Sequence, residues 1–301
     1  MQRRSFLRTT GLSAGLLAIS PNELIANFFQ QQSAFKITML RNDVGIFTER
    51  GGTIAFHLSK KGIVVVDSQF PDQSKHLIEE LKKQSNKPFA LLINTHHHGD
   101  HTGGNISFKD MVGHVVGHEN CLANYKRVAA TQKNEDKQLF PDITFADTWK
   151  YKIGKEHIKA HYFGAAHTNG DAIIHFENAN IAHMGDLMFN RRYPVIDRTA
   201  GASLKNWITV LDKTLTTFWG DTIFVFGHAF NPEKVTGNKE DIKVFKDYIE
   251  KLLTFVDGEI KAGKTKEEIV KNKSIPGVTE MQGTGIDRNL QSAYDELTAK
   301  A

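Results

Sequence analysis

Cysteine is almost missing from this chain: of 301 residues only Cys121 carries a thiol. That excludes an internal disulfide framework and any cysteine-rich zinc site, and leaves Cys121 as a small core residue. Proline occurs seven times, and no stretch rich in Pro, Gly or Ser divides the sequence, so a single domain is expected after the leader. No block of lysine and arginine argues for nucleic acid, and the formal net charge is only +4. Neither a glycine-rich phosphate loop nor a Ser-His-Asp pattern is present.

A long apolar run is missing too. The stretch from Gly11 to Ile19 is too short for a permanent membrane span. It follows Arg3-Arg4 and Ser5-Phe6-Leu7 in "MQRRSFLRTTGLSAGLLAIS", a segment that resembles a twin-arginine export signal. The resemblance implies handling by the twin-arginine export machinery, cleavage near Ala26 and a periplasmic or otherwise exported product. No cysteine follows the apolar stretch, so no stable membrane anchor is expected. Loss of residues 1–26 removes three arginines and one glutamate, taking +4 to +2, a charge that calls for no polyanionic partner. Twin-arginine routes carry folded proteins, often with cofactor already bound, which suits a metalloprotein.

What the chain does have is histidine, fourteen in all, and they are not spread evenly. "INTHHHGDHTGGN", residues 93–105, places four histidines and an aspartate within six positions. Neutral imidazole and carboxylate are the ligands of borderline divalent metals. The cluster stands directly behind an apolar strand, "PFALLINT". Three later strand ends have the same character: "FGAAHTNGDA" with His167 and Asp171, "AHMGDLMF" with Asp186, and "FVFGHAF" with His228. Each sits beside glycine, where a chain can turn sharply and approach another element closely.

Around these clusters the pattern reads as β-hairpins over residues 35–70 and a helix in "PDQSKHLIEELKKQS". Residues 131–148 read as a polar loop. Further strands are expected in "WKYKIGKEHIKAHYFG", "DAIIHFE", "ANIAHMGD" and "TIFVFGHA", a helix in "SLKNWITVLDKTLTTF", and helices from Lys239 onward. Two rounds of strands followed by helices suggest two packed sheets with helices outside.

The series His96-x-His98-x-Asp100-His101, then His167, Asp186 and His228, resembles the metal-binding series of the metallo-β-lactamase superfamily. The resemblance implies an α/β fold, an αββα four-layer sandwich, here over residues 34–301 with a helical C-terminal stretch. It also implies two metal ions, zinc first, although such ligands accept iron or manganese. His96, His98 and His167 would bind one ion, Asp100, His101 and His228 the other, and Asp186 both. Independently of the family, three imidazoles leave an open position for water, as catalytic zinc requires. Two close dications bring a shared water from a pKa of 15.7 to about 7, ready to attack a carbonyl or phosphoryl centre; Asp100 is the catalytic candidate among the ligands.

Asp67 and Asp171 are read as carboxylates that support ligand loops rather than as ligands. His97 points away from His96 and His98 if the segment is extended, so it is read as a supporting or solvent residue. His183 is read as a hydrogen-bonded core residue. For the small-molecule substrate the candidates are Phe47, on a hairpin with Val44 and Ile46 expected to cover the site, and Arg191, Arg192 and Tyr193 beyond Asp186. An arginine suits a carboxylate because its planar fork makes paired, charge-assisted hydrogen bonds. The expected substrate is a cyclic amide of β-lactam kind, a lactone or an ester. Asp186 stands where many β-lactamases of the family carry cysteine or serine, which counts against a dedicated β-lactamase. A phosphodiesterase or thioester hydrolase on the same ligands, and a non-catalytic metal-binding protein, are the alternatives.

Overall fold

Every side chain in the run Gly62–Val66 is buried, which a strand achieves only when both of its faces are covered. The computed structural model, which describes residues 35–299, supplies both covers. Val64 and Val66 join a core shared between two sheets. Ile63 and Val65 point the other way, into a cluster with Leu77, Ile78 and Leu81 of a helix. The leader assigned to residues 1–26 and the boundary at residue 34 lie outside the described residues.

The first sheet holds seven strands in chain order: β1 (Lys36–Arg41), β2 (Val44–Thr48), β3 (Ile54–Ser59), β4 (Gly62–Val66), β5 (Phe89–Ile93), β6 (Val112–His118) and β7 (Ile143–Phe145). Strands β1 to β4 form antiparallel hairpins, and from β4 onward the pairs are parallel. Helix α1 (Pro71–Gln84) joins β4 to β5; its proline stands in the first turn, where a missing N–H leaves no bond unmade. After β5 and β6 come the short α2 (Gly99–Thr102) and α3 (Glu119–Gln132). Strand β7 lies inside the segment read as polar loop: Ile143 and Phe145 pair with Val116 and His118. Three residues are too few to carry a visible alternation.

The second half supplies β8 (Thr148–Ile153), β9 (Glu156–His161), β10 (Ile173–Phe176), β11 (Ile181–His183), β12 (Phe189–Asn190), β13 (Ile223–Val225), β14 (His228–Ala229) and β15 (Thr236–Gly237). Six of them form the second sheet in the order β15-β13-β11-β10-β9-β8, and β12 pairs with β14. Its outer face is covered by α4 (Leu204–Thr217), α5 (Lys239–Lys261), α6 (Lys266–Ile269) and α7 (Ile286–Thr298). Trp207 and Leu211 of α4, Phe245 and Leu252 of α5, Ile269 of α6 and Leu290 of α7 cluster with Ile173, Ala182 and Phe224 of the sheet. Helix, sheet, sheet, helix is the αββα order.

Strand direction places the site. Both β9 and β11 run antiparallel to β10, and β13 runs parallel to β11, so the segments after β9, β11 and β13 emerge at one end of their sheet. Segments after β4 and β5 likewise leave the first sheet together.

The outer face of the second sheet also carries two imidazoles, His161 and His175, with ring centroids 6.1 Å apart and both packed on Phe218. Their Nε2 atoms are buried with no hydrogen-bond partner among the described residues. Burial pushes each pKa from 6.5 down to about 4; Lys159 adds repulsion at both, and Glu177 opposes the shift at His175. A depressed pKa means that between pH 6.5 and 4 the unfolded chain binds protons that the folded chain refuses, so stability falls as pH falls through that window. For metal-free protein, the urea midpoint should therefore drop less between pH 7.5 and 4.5 in the double variant His161→Leu/His175→Leu than in the parent. Equal drops would show that these rings do not carry the acid sensitivity.

Candidate metal centre

The turn after β5 is tight. His98 is in extended backbone, and Gly99 starts the short α2, which turns Asp100 and His101 inward beside His96. Residue 167 comes from the loop after β9, Asp186 from a single 3-10 turn after β11, and His228 opens β14. Together they make two sets of ligand atoms, each within 4.8 Å: His96, His98, His167 and Asp186 in one, Asp100, His101 and His228 in the other. The Asp186 carboxylate sits between the sets. Its Oδ2 is 3.9 Å from His96 Nε2, 3.5 Å from His167 Nε2 and 3.5 Å from His228 Nε2, while Oδ1 is 3.0 Å from His101 Nε2. Backbone packs hard against this group. A Cβ at Gly52 would lie 2.1 Å from His101 Cε1, and one at Gly227 would lie 2.0 Å from Asp186 Oδ1.

The far side of each ring decides what its near side offers. His101 Nδ1 donates to Asp67 Oδ2 at 2.7 Å, and His167 Nδ1 donates to the Val195 carbonyl at 2.8 Å. Thr95 Oγ1 donates to Asp67 Oδ2, so it accepts from His96 Nδ1 at 3.0 Å. His98 is turned the other way: its Nε2 donates to Asp197 Oδ2 at 2.9 Å, and its Nδ1 faces His167 Nε2 at 2.9 Å. Carboxylates and carbonyls only accept, so the outward nitrogen carries the proton and the inward one keeps a lone pair. His96 Nε2, His101 Nε2 and Asp186 Oδ1 are buried with no hydrogen-bond partner among the described residues. Buried polar atoms are rarely left so. A nitrogen and oxygen donor set with inward lone pairs fits a borderline divalent ion.

Charge points the same way. Burial drives His96 well down and takes His167 to about 4, which favours the neutral rings a metal needs. Burial works against both carboxylates, yet the imidazoles of His101 and His228 outweigh it, holding Asp100 at about 2 and Asp186 well below its usual range. At His228 burial is in turn overcome by Asp186 and Asp100, and its pKa rises to about 9. His101 is raised well above its usual value by Asp186, Asp67 and Asp100 against burial. Both shifts answer to the same buried carboxylate charge, which a dication would also balance.

The sequence profile of the Metallo-beta-lactamase superfamily matches residues 52–240, a span that contains all seven of these residues. This chain belongs to the metallo-β-lactamase superfamily. It is similar to the "Metallo-beta-lactamase type 2" of Bacillus cereus, 23% identical over 248 residues that cover 75% of this chain and 93% of that one. Among solved structures, a metallo-beta-lactamase from Pontibacter korlensis superposes with a TM-score of 0.60 at 19% identity, covering 72% of this chain and 99% of that one. The stereoselective inverting sec-alkylsulfatase Pisa1 from Pseudomonas sp. gives 0.69 at 15% identity, over 88% of this chain and 50% of that one. These likenesses establish the shared fold. Superfamily membership together with the His/Asp groups makes the chain a hydrolase of this superfamily with a candidate metal site.

The supporting carboxylates sit behind the ligand groups. Asp67, at the end of β4, is fully buried and adopts φ +64, which places its carboxylate under the turn after β5. Besides His101 it accepts Thr95 N–H and Thr95 O–H, each at 2.8 Å. Asp171 accepts Thr168 N–H and O–H at 2.7 Å, closing the loop that carries His167. His97 is buried, not solvated; its Nε2 lies 3.7 Å from Asp197, and burial takes its pKa to about 3. His183 donates from Nε2 to Thr53 O and accepts Gly185 N–H at Nδ1, a satisfied core residue.

The substrate candidates divide. Phe47 is fully buried and stacks on Phe35, its ring in the cluster beneath α1, so it cannot cover a substrate. The hairpin turn at Asn42-Asp43 points to the opposite end of the sheet, and what packs on the site is the next turn, where Gly52 N–H donates to Asp100 O. Arg191 is committed to Glu280 at 3.0 Å and Asp241 at 3.5 Å, which removes it as a carboxylate anchor. Arg192 and Tyr193 line a cavity beside His228. Sequence reasoning missed Asp197 and the Val195 carbonyl. The "DRT" step at 197–199, with Asp197 capping the following 3-10 turn, was the one available signal.

Asp67→Ala should strip His101 and Thr95 of their acceptor and weaken metal affinity about 10–100-fold, read by competition with a chromogenic chelator. Asp197→Ala should do the same through His98. Unchanged affinity in both variants would show that the rings hold their orientation without these carboxylates.

Proposed function

We propose that this protein is an exported binuclear metallohydrolase that opens a β-lactam-like cyclic amide, a lactone or another ester at its carbonyl carbon. One observation carries the reading: a single buried carboxylate, Asp186, lies within 4 Å of ligand atoms from both histidine sets. His96, His98 and His167 would hold one ion and Asp100, His101 and His228 the second, with the Asp186 carboxylate lying between the two sets. Zinc suits the set, and iron or manganese would also be accepted. When bound, such a pair supplies an acidified water and an electrophile for the substrate oxygen.

The chain's own residues do the rest. Asp100 is on the rim, its side chain 30% exposed, with Oδ2 3.0 Å from His228 Nε2. Held at about 2, it is ionised at neutral pH and accepts a hydrogen bond from the attacking water, which orients it. Gly52, Gly227 and the buried ring edges exclude other water from the floor. Tyr193 and Arg192, on the wall beside His228, orient the substrate. An aspartate at position 186, where many β-lactamases of the family carry cysteine or serine, favours esters and lactones over a dedicated β-lactam substrate. Export is proposed from Arg3 and Arg4 and the apolar stretch behind them.

Purified protein should hold two transition-metal ions per chain, and chelation should abolish hydrolysis across a panel of β-lactams, lactones, thioesters and phosphodiesters. Asp186→Ala should lose at least one ion and lower kcat/KM at least about a hundredfold; full metal content with full activity would sink the two-ion reading. Changing Arg3 and Arg4 to lysine should leave unprocessed precursor in the cytoplasm, and normal processing would reject twin-arginine export.

A further inference from the structure

The end of the two sheets opposite the metal centre holds another cavity, about 660 Å³ in volume. That size suits a small-molecule ligand. Segments after β9 and β11 carry metal ligands, so the turns before these strands lie at the far end. Four turns contribute to the cavity: Asn42-Asp43, Lys60-Lys61, Gly154-Lys155 and the turn that holds Asn178. None of the seven candidate metal ligands lines it.

Strand parity supplies its inner wall. Ala55 packs between the sheets and Phe56 beneath α1, so His57 faces the space between the sheets. There its ring centroid lies 6.2 Å from that of Phe176 in the second sheet. His57 is 6% exposed, and its Nδ1 is buried with no hydrogen-bond partner among the described residues. A buried polar atom left in that state calls for an occupant. Burial lowers the pKa of this ring against the pull of Asp43, and a neutral imidazole has one nitrogen to donate and one to accept. Ser59, two residues on, accepts Lys61 N–H at 3.1 Å, which leaves its own proton to donate. The turns brace one another. Asn42 Nδ2 donates to Asn178 O at 3.0 Å, and buried Glu156 accepts Asn178 N–H at 2.8 Å. A Cβ at Gly154 would lie 2.8 Å from Ser59 Oγ, so turns of the two sheets meet here.

Lys60, Lys61 and Lys155 line the cavity and are exposed. Elsewhere Lys75, Lys83 and Lys251 sit in ion pairs with Asp72, Glu80 and Asp247. Among the described residues, the three cavity lysines have no carboxylate within 4.0 Å. Against them the lining carries only the carboxylates of Asp43 and Glu156, so it is net positive. We propose that this cavity binds a small hydroxylated phosphate ester, of sugar-phosphate kind, at a site separate from the metal centre. Lysine meets phosphate as a point charge, and several can approach one group from different sides. No aliphatic, phenyl or indole side chain is among the lining residues, which disfavours an apolar ligand. Imidazole, hydroxyl and amide groups there match the donors and acceptors of a polyol. Such a ligand would hold turns from both sheets at once, and binding only the folded chain would stabilise it.

The test titrates the full-length protein by calorimetry with glycerophosphate, ethyl phosphate and glycerol, before and after chelation of metal. Glycerophosphate should bind one to one in both states, with ethyl phosphate at least about fivefold weaker and glycerol not measurable. The double variant Lys61→Met/Lys155→Met should weaken glycerophosphate at least about tenfold. Both lysines are exposed, and unchanged circular dichroism and metal content verify that fold and metal centre are kept. His57→Gln should weaken glycerophosphate about fivefold while leaving ethyl phosphate within about twofold. Binding lost on chelation puts the phosphate on the metal ions and overturns the site. So does unchanged affinity in the lysine variant, or no binding of glycerophosphate at all. Ethyl phosphate bound as tightly as glycerophosphate overturns the hydroxylated ligand.

Discussion

An imidazole can give a lone pair inward only if its other nitrogen disposes of a proton outward. In a dry pocket that second partner must come from the protein, because water is not there to serve. Four rings of the centre, those of His96, His98, His101 and His167, meet this condition through protein partners. Asp67 takes the largest share, accepting from His101, from Thr95 N–H and from the Thr95 hydroxyl that in turn serves His96. It can do so because β4 and β5 are parallel neighbours, so the residue after one strand lies under the turn after the other. Its left-handed backbone, a conformation that costs of order 1–3 kcal/mol outside glycine, is held by Asp67 N–H donating to Ile93 O. Sheet pairing and ligand chemistry are in this sense one arrangement.

The parts legible from residue types were those whose chemistry needs particular side chains at strand ends. Histidine pairs behind β5, and single His or Asp residues behind β9, β11 and β13, stand out because apolar strands make sharp borders. The layered fold was legible for the same reason: runs such as Gly62–Val66 and Phe89–Ile93 are apolar on both faces. What stayed hidden was carried by backbone or by parity. The Val195 carbonyl could belong to any residue. Phe47 looks like a flap residue from its position near turns, yet alternation along β2 sends it to the helix side, opposite Val44 and Ile46. Arg288 stands sixty positions after His228 and comes to line one cavity with Arg192 only through the docking of α7.

The two paired sets of ligands also differ in how the fold holds them. His96, His98 and His167 are fixed by partners behind each ring, whereas Asp100 and His228 lean on each other at the rim, with His228 stacked on Phe189. The rings of the first set, and His101 of the second, are therefore held by partners behind them, while Asp100 and His228 rest on contacts open to whatever enters the site.

Gly52 and Gly227 bear on this difference. Neither takes part in any reaction, yet each presses bare backbone against a ligand, His101 in one case and Asp186 in the other. Divergence in a lineage carrying this fold would meet a wall at those two positions, since even one methyl group collides with a ligand. The rim formed by Arg192, Val195, Phe230 and α7 has no such wall. Inherited change is thereby channelled away from the floor and toward the mouth, so descendants could trade one substrate for another while keeping the same metal-holding floor.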